Sequence, residues 1–403
     1  MAEKKIEGRD FIVFGLQPWD IPIGSNCKNI AEVIAKDNRV LYVNRPLDRI
    51  SYLRKSKDVQ TINRINSIKK GENILTEIKN NLWVYNPGRI LESVNMLPPG
   101  IVYNFFNRKN NRILAEEIKE VAARLSFKDP ILFVDNDFFN SLYLKEYLSP
   151  SVFIFYIRDY LRSQKYFEKH GKKSEPAVMQ KADAVAANSA YLAGYASQFN
   201  KQVADIGQGC EVEDFVEAPD YTPADMAGIK YPVIGYCGSI TSTRLDVKLL
   251  EEIAGSRKDW NLVLVGPADD VFNNSALRQM ENVYFLGSKS QKELPAYIHS
   301  FDVCINPQLL NQMTIGNYPR KVDEYLAAGK PVVATRTETM AMFGDNAFLC
   351  NDAAEYVTAI EEALKVQHDP QKTEARKAMG MSHTWEASVE KLYTVINNVQ
   401  DGK

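Results

Sequence analysis

The sequence has few of the residues from which metal enzymes and disulfide-bonded secreted proteins are built. Its four histidines show no H-E-x-x-H or other paired spacing, so zinc chemistry has no support. Its five cysteines are scattered and never at metal-ligand spacing, which is typical of a reducing compartment. The sequence also lacks G-x-x-x-x-G-K-[ST] and a G-x-G-x-x-G after a strand pattern, which excludes the usual ATPase and dinucleotide-binding motifs.

Long apolar runs and an excess of one charge are missing as well. No run approaches the roughly 18 residues of a membrane-spanning helix, and the start, M-A-E-K-K-I-E-G-R-D, is too charged for a signal peptide. We therefore expect a cytoplasmic protein, either free or at the inner face of the plasma membrane. The formal net charge of -2 argues against nucleic acid as a partner, because general nucleic-acid binders are usually clearly basic.

One local segment, residues 49–70, departs from this balance of charge. Its basic residues alternate with isoleucine, leucine and tyrosine. Such an amphipathic segment can make a peripheral contact with an anionic membrane, or it can be the solvated face of a helix or loop. Both interpretations stay open. The basic residues between Arg49 and Lys70 are Arg54, Lys55, Lys57, Arg64 and Lys69, against Asp58 alone.

Two series of buried-strand patterns are present. The apolar runs are continuous, which is typical of strands that are buried on both faces of a parallel sheet covered by helices. The chain is also long enough for two domains. We therefore predict an α/β protein with two doubly wound domains. The runs are 10–15, 39–44, 82–87, 131–135, 152–157 and 184–189, and then 233–238, 261–267, 283–287, 303–307 and 331–335.

A polar segment with two prolines, E-A-P-D-Y-T-P-A-D at 217–225, separates the two series and is the best candidate for a linker. We predict a first domain at 1–216, a linker at 217–229 and a second domain at 230–383. An amphipathic helix at about 384–400 is expected to pack back on the first domain. In open parallel sheets ligands bind beyond the carboxyl ends of the strands, so functional residues are expected in the loops that follow strands.

The stretch from Tyr318 to Thr335 predicts a short helix that leads into a buried strand. Pro319 suits the first helical turn and Gly329 the position after the last. One face of this helix can pack on the sheet. The other carries Arg320 or Lys321 near the helix start, where N–H groups and positive charge favour a phosphate. Glu324, one turn later, can accept hydrogen bonds from the hydroxyls of a ribose.

These charges also have a simpler interpretation. Lys321 and Glu324 are three residues apart on a helix and can form an exposed ion pair that contributes only a few tenths of a kcal/mol. The helix alone does not decide between this pair and a nucleotide site.

The pattern P-x-K-x-x-E-Y-L-A-A-G-K-P-V-V-A, here 319–334, resembles the GT-B glycosyltransferases, specifically the family 4-like (group 1) bacterial sugar transferases. Two further segments also resemble sequence motifs of this family, G-Y-C-G-S-I at 235–240 and D-W-N-L-V-L-V-G-P at 259–267. The resemblance implies a GT-B fold of two Rossmann-like domains that face each other across a cleft. It implies that Glu324 binds ribose and Lys321 the diphosphate, with further nucleotide-sugar contacts from Gly238, Ser239, Arg244, Lys248, Gly266 and Arg320.

The chain departs from the family at Gly316. Many family 4 enzymes carry a glutamate eight positions before the ribose-binding one, and here that position is a glycine. This departure leaves sugar recognition and the stereochemical course open. We expect backbone N–H groups near Gly316, with the side chains of Asn317 and Tyr318, to make the contacts that the glutamate makes elsewhere.

An inverting reaction needs a base for the acceptor hydroxyl. The resemblance favours Asp159, although an aspartate after a strand is more often a helix N-cap. Asp20, Asp135 and Asp137 are further candidates. Asp135-Asn136-Asp137 also matches the D-x-D metal motif of GT-A transferases, but the two strand series and the cations near Glu324 favour a reaction without metal or other cofactor.

We expect the protein to transfer a sugar from a nucleotide diphosphate sugar to a hydroxyl of an envelope polysaccharide or a lipid-linked glycan. UDP is the expected nucleotide of the donor. An epimerase of the same fold, which would need an acid and a base around the sugar ring, is one alternative. A non-catalytic relative that binds nucleotide sugar is the other.

Overall fold

The computed structural model describes residues 5–21, 24–53, 59–72 and 74–402. The chain forms two compact units, one of residues 1–209 with 385–403 and the other of residues 210–384. Each has a largely parallel sheet with helices between most successive strands. The α/β class predicted from the apolar runs is therefore confirmed. The exact boundaries at 217–229 and 230–383 stay a prediction.

The first unit contains an eight-stranded sheet in the order β3-β4-β2-β1-β5-β6-β7-β8, parallel except for the β3–β4 pair. Its strands are β1 (Asp10–Gly15), β2 (Arg39–Val43), β3 (Leu75–Lys79), β4 (Leu82–Tyr85), β5 (Ile131–Asp135), β6 (Val152–Ile157), β7 (Ala184–Ala187) and β8 (Val203–Asp205). Its helices up to residue 209 are α1 (Asn26–Ile34), α2 (Arg49–Leu53), α3 (Val59–Lys70), α4 (Ile101–Arg124), α5 (Leu144–Leu148), α6 (Lys165–Lys181) and α7 (Ala190–Ala196), with 3-10 turns at Val94–Met96 and Leu161–Ser163.

The second unit contains a six-stranded parallel sheet in the order β11-β10-β9-β12-β13-β14. Its strands are β9 (Val233–Cys237), β10 (Asn261–Val265), β11 (Val283–Gly287), β12 (Val303–Asn306), β13 (Val332–Thr335) and β14 (Ala347–Cys350). Its helices are α8 (Glu213–Val216), α9 (Val247–Ser256), α10 (Asp270–Asn273), α11 (Leu294–His299), α12 (Arg320–Ala327), α13 (Ala353–Lys365) and α14 (Pro370–Ser382), with 3-10 segments at Ala276–Gln279 and Thr339–Asn346.

Both faces of the first sheet are buried, which explains the continuous apolar runs. In β1, Phe11 and Val13 join the core on one side of the sheet, while Ile12 and Phe14 join the core on the other. The three strands β3, β8 and β14 were not predicted from the sequence. β3 (Leu75–Lys79) is mostly exposed and β8 has three residues, so neither carries a long apolar run.

The last helix, α15 (Trp385–Asp401), belongs to the first unit. Its apolar stripe of Trp385, Val389, Leu392, Tyr393 and Ile396 is buried and packs in the same core as Phe11 and Val13 of β1. The chain therefore leaves the first unit after residue 209, forms the second unit and returns.

We expect Leu392→Ala to destabilise the first unit by about 2 to 5 kcal/mol, because it removes a fully buried side chain and leaves a cavity beneath α15. Glu390→Ala, on the exposed side of the same helix, should change the free energy of unfolding by about 0.5 kcal/mol or less. Urea unfolding followed by tryptophan fluorescence measures both. Equal effects of the two variants would show that α15 does not complete this core.

Candidate functional site

Three loops of the second unit follow neighbouring strands of its sheet. They are residues 238–246 after β9, 266–269 after β10 and 307–319 after β12, and the three strands lie side by side in the order β10-β9-β12. The carboxyl edge of a parallel sheet is the usual place for a ligand. These loops contain most of the residues singled out from the sequence.

Two glycines bring the first two loops into contact. Gly238 has φ +142° and Gly266 has φ +145°, a region that side chains rarely adopt. The Gly238 N–H donates to the Val265 carbonyl at 2.8 Å. A Cβ on Gly266 would overlap the carbonyl of Gly238, so only glycine allows this approach.

Asp269 holds the same two loops together with its side chain. Its Oδ2 accepts hydrogen bonds from the Ser242 N–H at 2.7 Å and from the Ser242 hydroxyl at 2.8 Å. Its Oδ1 caps α10 by accepting from the Phe272 N–H at 3.0 Å. Asp269 was not predicted from the sequence, although an aspartate directly before a short helix is a typical N-cap signal.

Helix α12 is fixed against the end of β9 by Tyr325. The buried Tyr325 hydroxyl accepts from the Cys237 N–H at 2.8 Å and donates to the Cys237 carbonyl at 3.3 Å. On the neighbouring face of the helix, Lys321 lies over Gly238, where a Cβ would overlap the lysine side chain. The Lys321 ammonium is 5.6 Å from the centroid of the Tyr236 ring. The structure therefore brings Gly238, Gly266 and Lys321 together.

Glu324 lies one turn after Lys321 and is half-buried. Burial raises the pKa of this carboxyl, and the nearby Lys321 and Arg320 charges only partly oppose that effect. In the described part of the chain the carboxylate of Glu324 has no ion pair within 4.0 Å and no hydrogen bond. The simple ion pair with Lys321 is thus not formed, and an acceptor group lies unpaired beside a lysine.

Asp323, between these two residues, has a different role that the sequence analysis did not identify. Its fully buried carboxylate contacts His383 Nδ1 at 2.7 Å and accepts from the Cys210 thiol at 3.1 Å. Asp323 therefore joins α12 to Cys210, which precedes it in the chain, and to His383, which follows it. These contacts fix the helix that carries Lys321 and Glu324.

The loop after β12 contains Gly316, Asn317 and Tyr318, which the sequence predicts to make contacts in place of the missing glutamate. Gly316 and Tyr318 are buried and Asn317 is half-buried. The loop is shaped by internal bonds, including the Gln308 amide to the Thr314 carbonyl at 2.7 Å. The Asn311 amide joins it to the first loop through the Thr243 carbonyl at 2.9 Å.

The remaining predicted cations are less clearly part of the site. The Arg244 carbonyl accepts from the Leu309 N–H at 2.8 Å, so its backbone lies where the first and third loops meet, but its side chain is exposed. Lys248 is exposed in the first turn of α9. Arg320 is the first residue of α12 and is half-buried. Ser239 follows Gly238, and its carbonyl accepts from the Tyr236 hydroxyl at 3.2 Å.

In the first unit, Asp159 follows β6 and belongs to an ion-pair cluster. Arg158 contacts Asp159 Oδ2 at 2.6 Å and Asp135 Oδ1 at 2.7 Å. Asp135 is fully buried, and burial raises its pKa. The Asp159 side chain is 39% exposed and caps no helix in the described part of the chain. It is therefore accessible, unlike Asp135.

The two carboxylates of the D-x-D sequence are engaged within the first unit. Asp135 pairs with Arg158, while Asp137 accepts from the backbone N–H groups of Phe139 and Asn140 at 2.9 and 2.8 Å. Among the described residues there is no group of three or more histidine, cysteine or acidic residues that could hold a metal ion. Asp20, the other candidate base, is exposed.

The first unit also has a cavity of about 260 Å³ that the sequence analysis missed. Its walls come from the loops that follow β1, β2, β4 and β5 and from residues of α2, α3, α4 and the start of α6. These loops flank β1 and β5, the strands between which the strand order reverses, and ligands bind at such points in open sheets. The polar lining residues include Arg45, Asp48, Arg64, Glu92, Asn110 and Tyr166.

The basic segment is only partly described by the structure. Arg54, Lys55 and Lys57 lie outside the described residues, so their contribution to a membrane contact stays a prediction. The flanking helices α2 and α3 contain no buried residue among those described. In the described ranges, no helix is both long and apolar enough to cross a membrane.

Known proteins resemble this chain in its second unit and in its fold. Residues 231–366 match the family described as "Glycosyl transferases group 1". TuaH of Bacillus subtilis (strain 168), which its name assigns to teichuronic acid biosynthesis as a glycosyltransferase, is 28% identical over 235 residues. That match covers 53% of this chain and 56% of TuaH, so the chain spans little more than half of this relative.

Solved structures match almost the whole chain. Anabaena Alr3699/HepE in complex with UDP and glucose is 15% identical with a TM-score of 0.57, over 97% of each chain. The UDP-forming α,α-trehalose-phosphate synthase of Burkholderia vietnamiensis is 12% identical with a TM-score of 0.65, over 98% of this chain and 100% of the synthase. The chain therefore has the GT-B fold predicted from its motifs, and residues 231–366 of its second unit match the group 1 glycosyltransferases.

We expect Glu324→Gln to raise the melting temperature at neutral pH. Burial raises the pKa of Glu324 above its ordinary value of 4.5, so the folded state holds its proton more tightly than the unfolded state. The wild type then loses stability as the pH rises through and above that value. The melting temperatures of the wild type and of Glu324→Gln, measured between roughly pH 4 and pH 7, should become equal at the acid end of this range. The exposed Glu338→Gln should show no such trend, and a parallel offset at all pH values would contradict the assignment.

Proposed function

We propose that the protein is a glycosyltransferase that moves a sugar from a UDP-sugar to a hydroxyl of an envelope polysaccharide or lipid-linked glycan, without a metal ion. The observation that carries the proposal is the pairing of Lys321 over Gly238 with an unpaired, half-buried Glu324 one turn later. These residues lie inside the segment that matches the group 1 glycosyltransferases.

The diphosphate is bound by charge and by backbone donors. Lys321 and the N–H groups at the start of α12 provide positive potential, and the absence of a side chain at Gly238 lets Lys321 lie against the end of β9. Arg320, Arg244 and Lys248 are the candidates for a second cation. Because these groups neutralise the leaving diphosphate, the reaction does not need a metal ion for that purpose.

Glu324 accepts the hydroxyls of the ribose. A half-buried carboxylate with no internal partner gains free energy when a ligand supplies hydrogen-bond donors, and a diol supplies two. Gly316, Asn317 and Tyr318 lie in the loop after β12 and contact the transferred sugar in place of the glutamate of related enzymes. UDP is the favoured nucleotide because HepE, which has the same fold, was crystallised with UDP and glucose.

The acceptor binds in the first unit, where the cavity between the loops after β1, β2, β4 and β5 has the mixture of arginine, carboxylate, amide and tyrosine side chains that saccharides contact. The similarity to TuaH supports a polysaccharide or its precursor as the acceptor. Asp159 accepts the proton of the attacking hydroxyl. The oxygen of the acceptor hydroxyl then bonds to the anomeric carbon of the sugar, while the bond between that carbon and the diphosphate oxygen breaks.

We expect Lys321→Ala and Glu324→Ala each to weaken UDP binding by about 10- to 100-fold, since hydrogen bonds to charged groups contribute about 1.5 to 3 kcal/mol. Titration calorimetry with UDP, GDP and dTDP measures the affinity and the preference for the base. Lys372→Ala and Glu374→Ala are matched controls, because both residues are exposed on α14. Unchanged UDP affinity in Glu324→Ala would refute the proposed site.

We expect slow release of UDP from UDP-sugar in the absence of acceptor, unaffected by a chelator. Asp159→Asn should lower this rate by about 100-fold or more, at unchanged UDP affinity, because water then lacks its base. The exposed Asp20→Asn is the comparison. Interconversion of sugars would favour an epimerase, and binding without any turnover would favour a non-catalytic protein.

A further inference from the structure

The first unit has an exposed apolar surface at the start of α4. We call this surface the tip and define it as residues Met96 to Phe105. Met96 is 73% exposed, Ile101 88%, Val102 53% and Phe105 64%. Pro98, Pro99 and Gly100 between them are also exposed. A contiguous exposed apolar surface of this kind marks an interaction site.

The tip is not a loosely packed segment. Directly beneath it, Tyr103 is buried and stacks on His170 of α6, with ring centroids 3.8 Å apart and planes 4° from parallel. The Lys169 ammonium contacts the carbonyl oxygens of Asn95 and Met96 at 3.5 and 3.2 Å. The apolar side chains are thus presented outward by a fixed support.

Charge distinguishes the kind of partner. Residues 93–107 contain no charged side chain. At 100° per residue, Ile101, Val102 and Phe105 share one face of α4 with the next charged residues, Arg108, Lys109 and Arg112. All three are basic and exposed, and the first acidic residue of the helix is Glu116. Arg108 pairs with Glu146 at 3.2 Å and Arg112 with Glu116 at 3.0 Å, whereas Lys109 forms no ion pair among the described residues. An apolar tip followed by a basic collar is complementary to the acyl region and headgroups of an anionic bilayer.

We propose that this tip inserts into the surface of an anionic membrane, with Met96, Ile101, Val102 and Phe105 among the lipid chains and Arg108, Lys109 and Arg112 at the headgroups. The surface is separate in sequence from the basic segment at 49–70, of which residues 54–58 lie outside the described ranges. It also adjoins the cavity of the first unit, since Val94 and Asn95 line that cavity directly before Met96. Docking holds the cavity next to the lipid surface.

The proposal concerns the first unit and does not depend on UDP binding, which serves as a check of folding for every variant. Purified full-length protein is sedimented with vesicles of phosphatidylcholine alone or mixed with phosphatidylglycerol. We expect binding only to the mixed vesicles, and weaker binding at higher salt. Ile101→Ser with Phe105→Ser should weaken it at least about tenfold, and Lys109→Ala about fivefold.

The matched controls are Val271→Ser with Met381→Ser, which removes two exposed apolar side chains from the second unit, and Lys258→Ala, which removes an exposed charge there. Neither should change vesicle binding. Failure of the wild type to bind mixed vesicles overturns the proposal. A second result would also overturn it. In that result the wild type self-associates, and the Ile101 and Phe105 changes convert it to a monomer without weakening its binding to vesicles.

A labelled cysteine tests the depth of insertion directly. All five native cysteines are buried, so an environment-sensitive fluorophore attaches selectively to Phe105→Cys. Its emission should shift to the blue on addition of mixed vesicles, because the probe enters a less polar medium. The same label at Val271→Cys should not respond. Equal responses at the two positions would contradict insertion through the tip.

Discussion

The contact between Gly238 and Gly266 determines the geometry of the whole second unit at its carboxyl edge. Because neither position has a side chain, the loops after β9 and β10 touch through their backbones, and the space above them is taken by Lys321. A methyl group at either glycine would separate the loops or displace the lysine. The donor site we propose therefore depends on two missing Cβ atoms as much as on any charged residue.

Helix α12 shows how one short element serves packing and binding together. Tyr325 joins it to the end of β9, and Asp323 joins it to His383 and Cys210. With two sides engaged in buried polar contacts, the helix can expose Lys321 and keep Glu324 half-buried without a partner. The energetic cost of that carboxylate is borne by the surrounding packing.

Much of this arrangement could be predicted from the sequence, and the parts that could not share a physical reason. Continuous apolar runs predicted the strands of both sheets except β3, β8 and β14, and Pro319 with Gly329 indicated the extent of α12 to within a few residues. Asp269 and Asp323 were missed because their roles depend on contacts across the fold. The cavity of the first unit was missed because its lining spans residues 16–166, and no local pattern records which loops meet. The exposure of Ile101 and Phe105 likewise depends on which face of α4 packs inward.

The return of the chain to the first unit in α15 has a consequence for biosynthesis. The ribosome completes the second unit before it makes Trp385, Leu392 and Ile396, which belong to the core of the first. Until those residues emerge, the nascent first unit exposes the apolar side of its sheet that α15 covers, at β6 and β7. The domain that is started first is therefore finished last, and a nascent chain is open to chaperones along that surface for most of its synthesis.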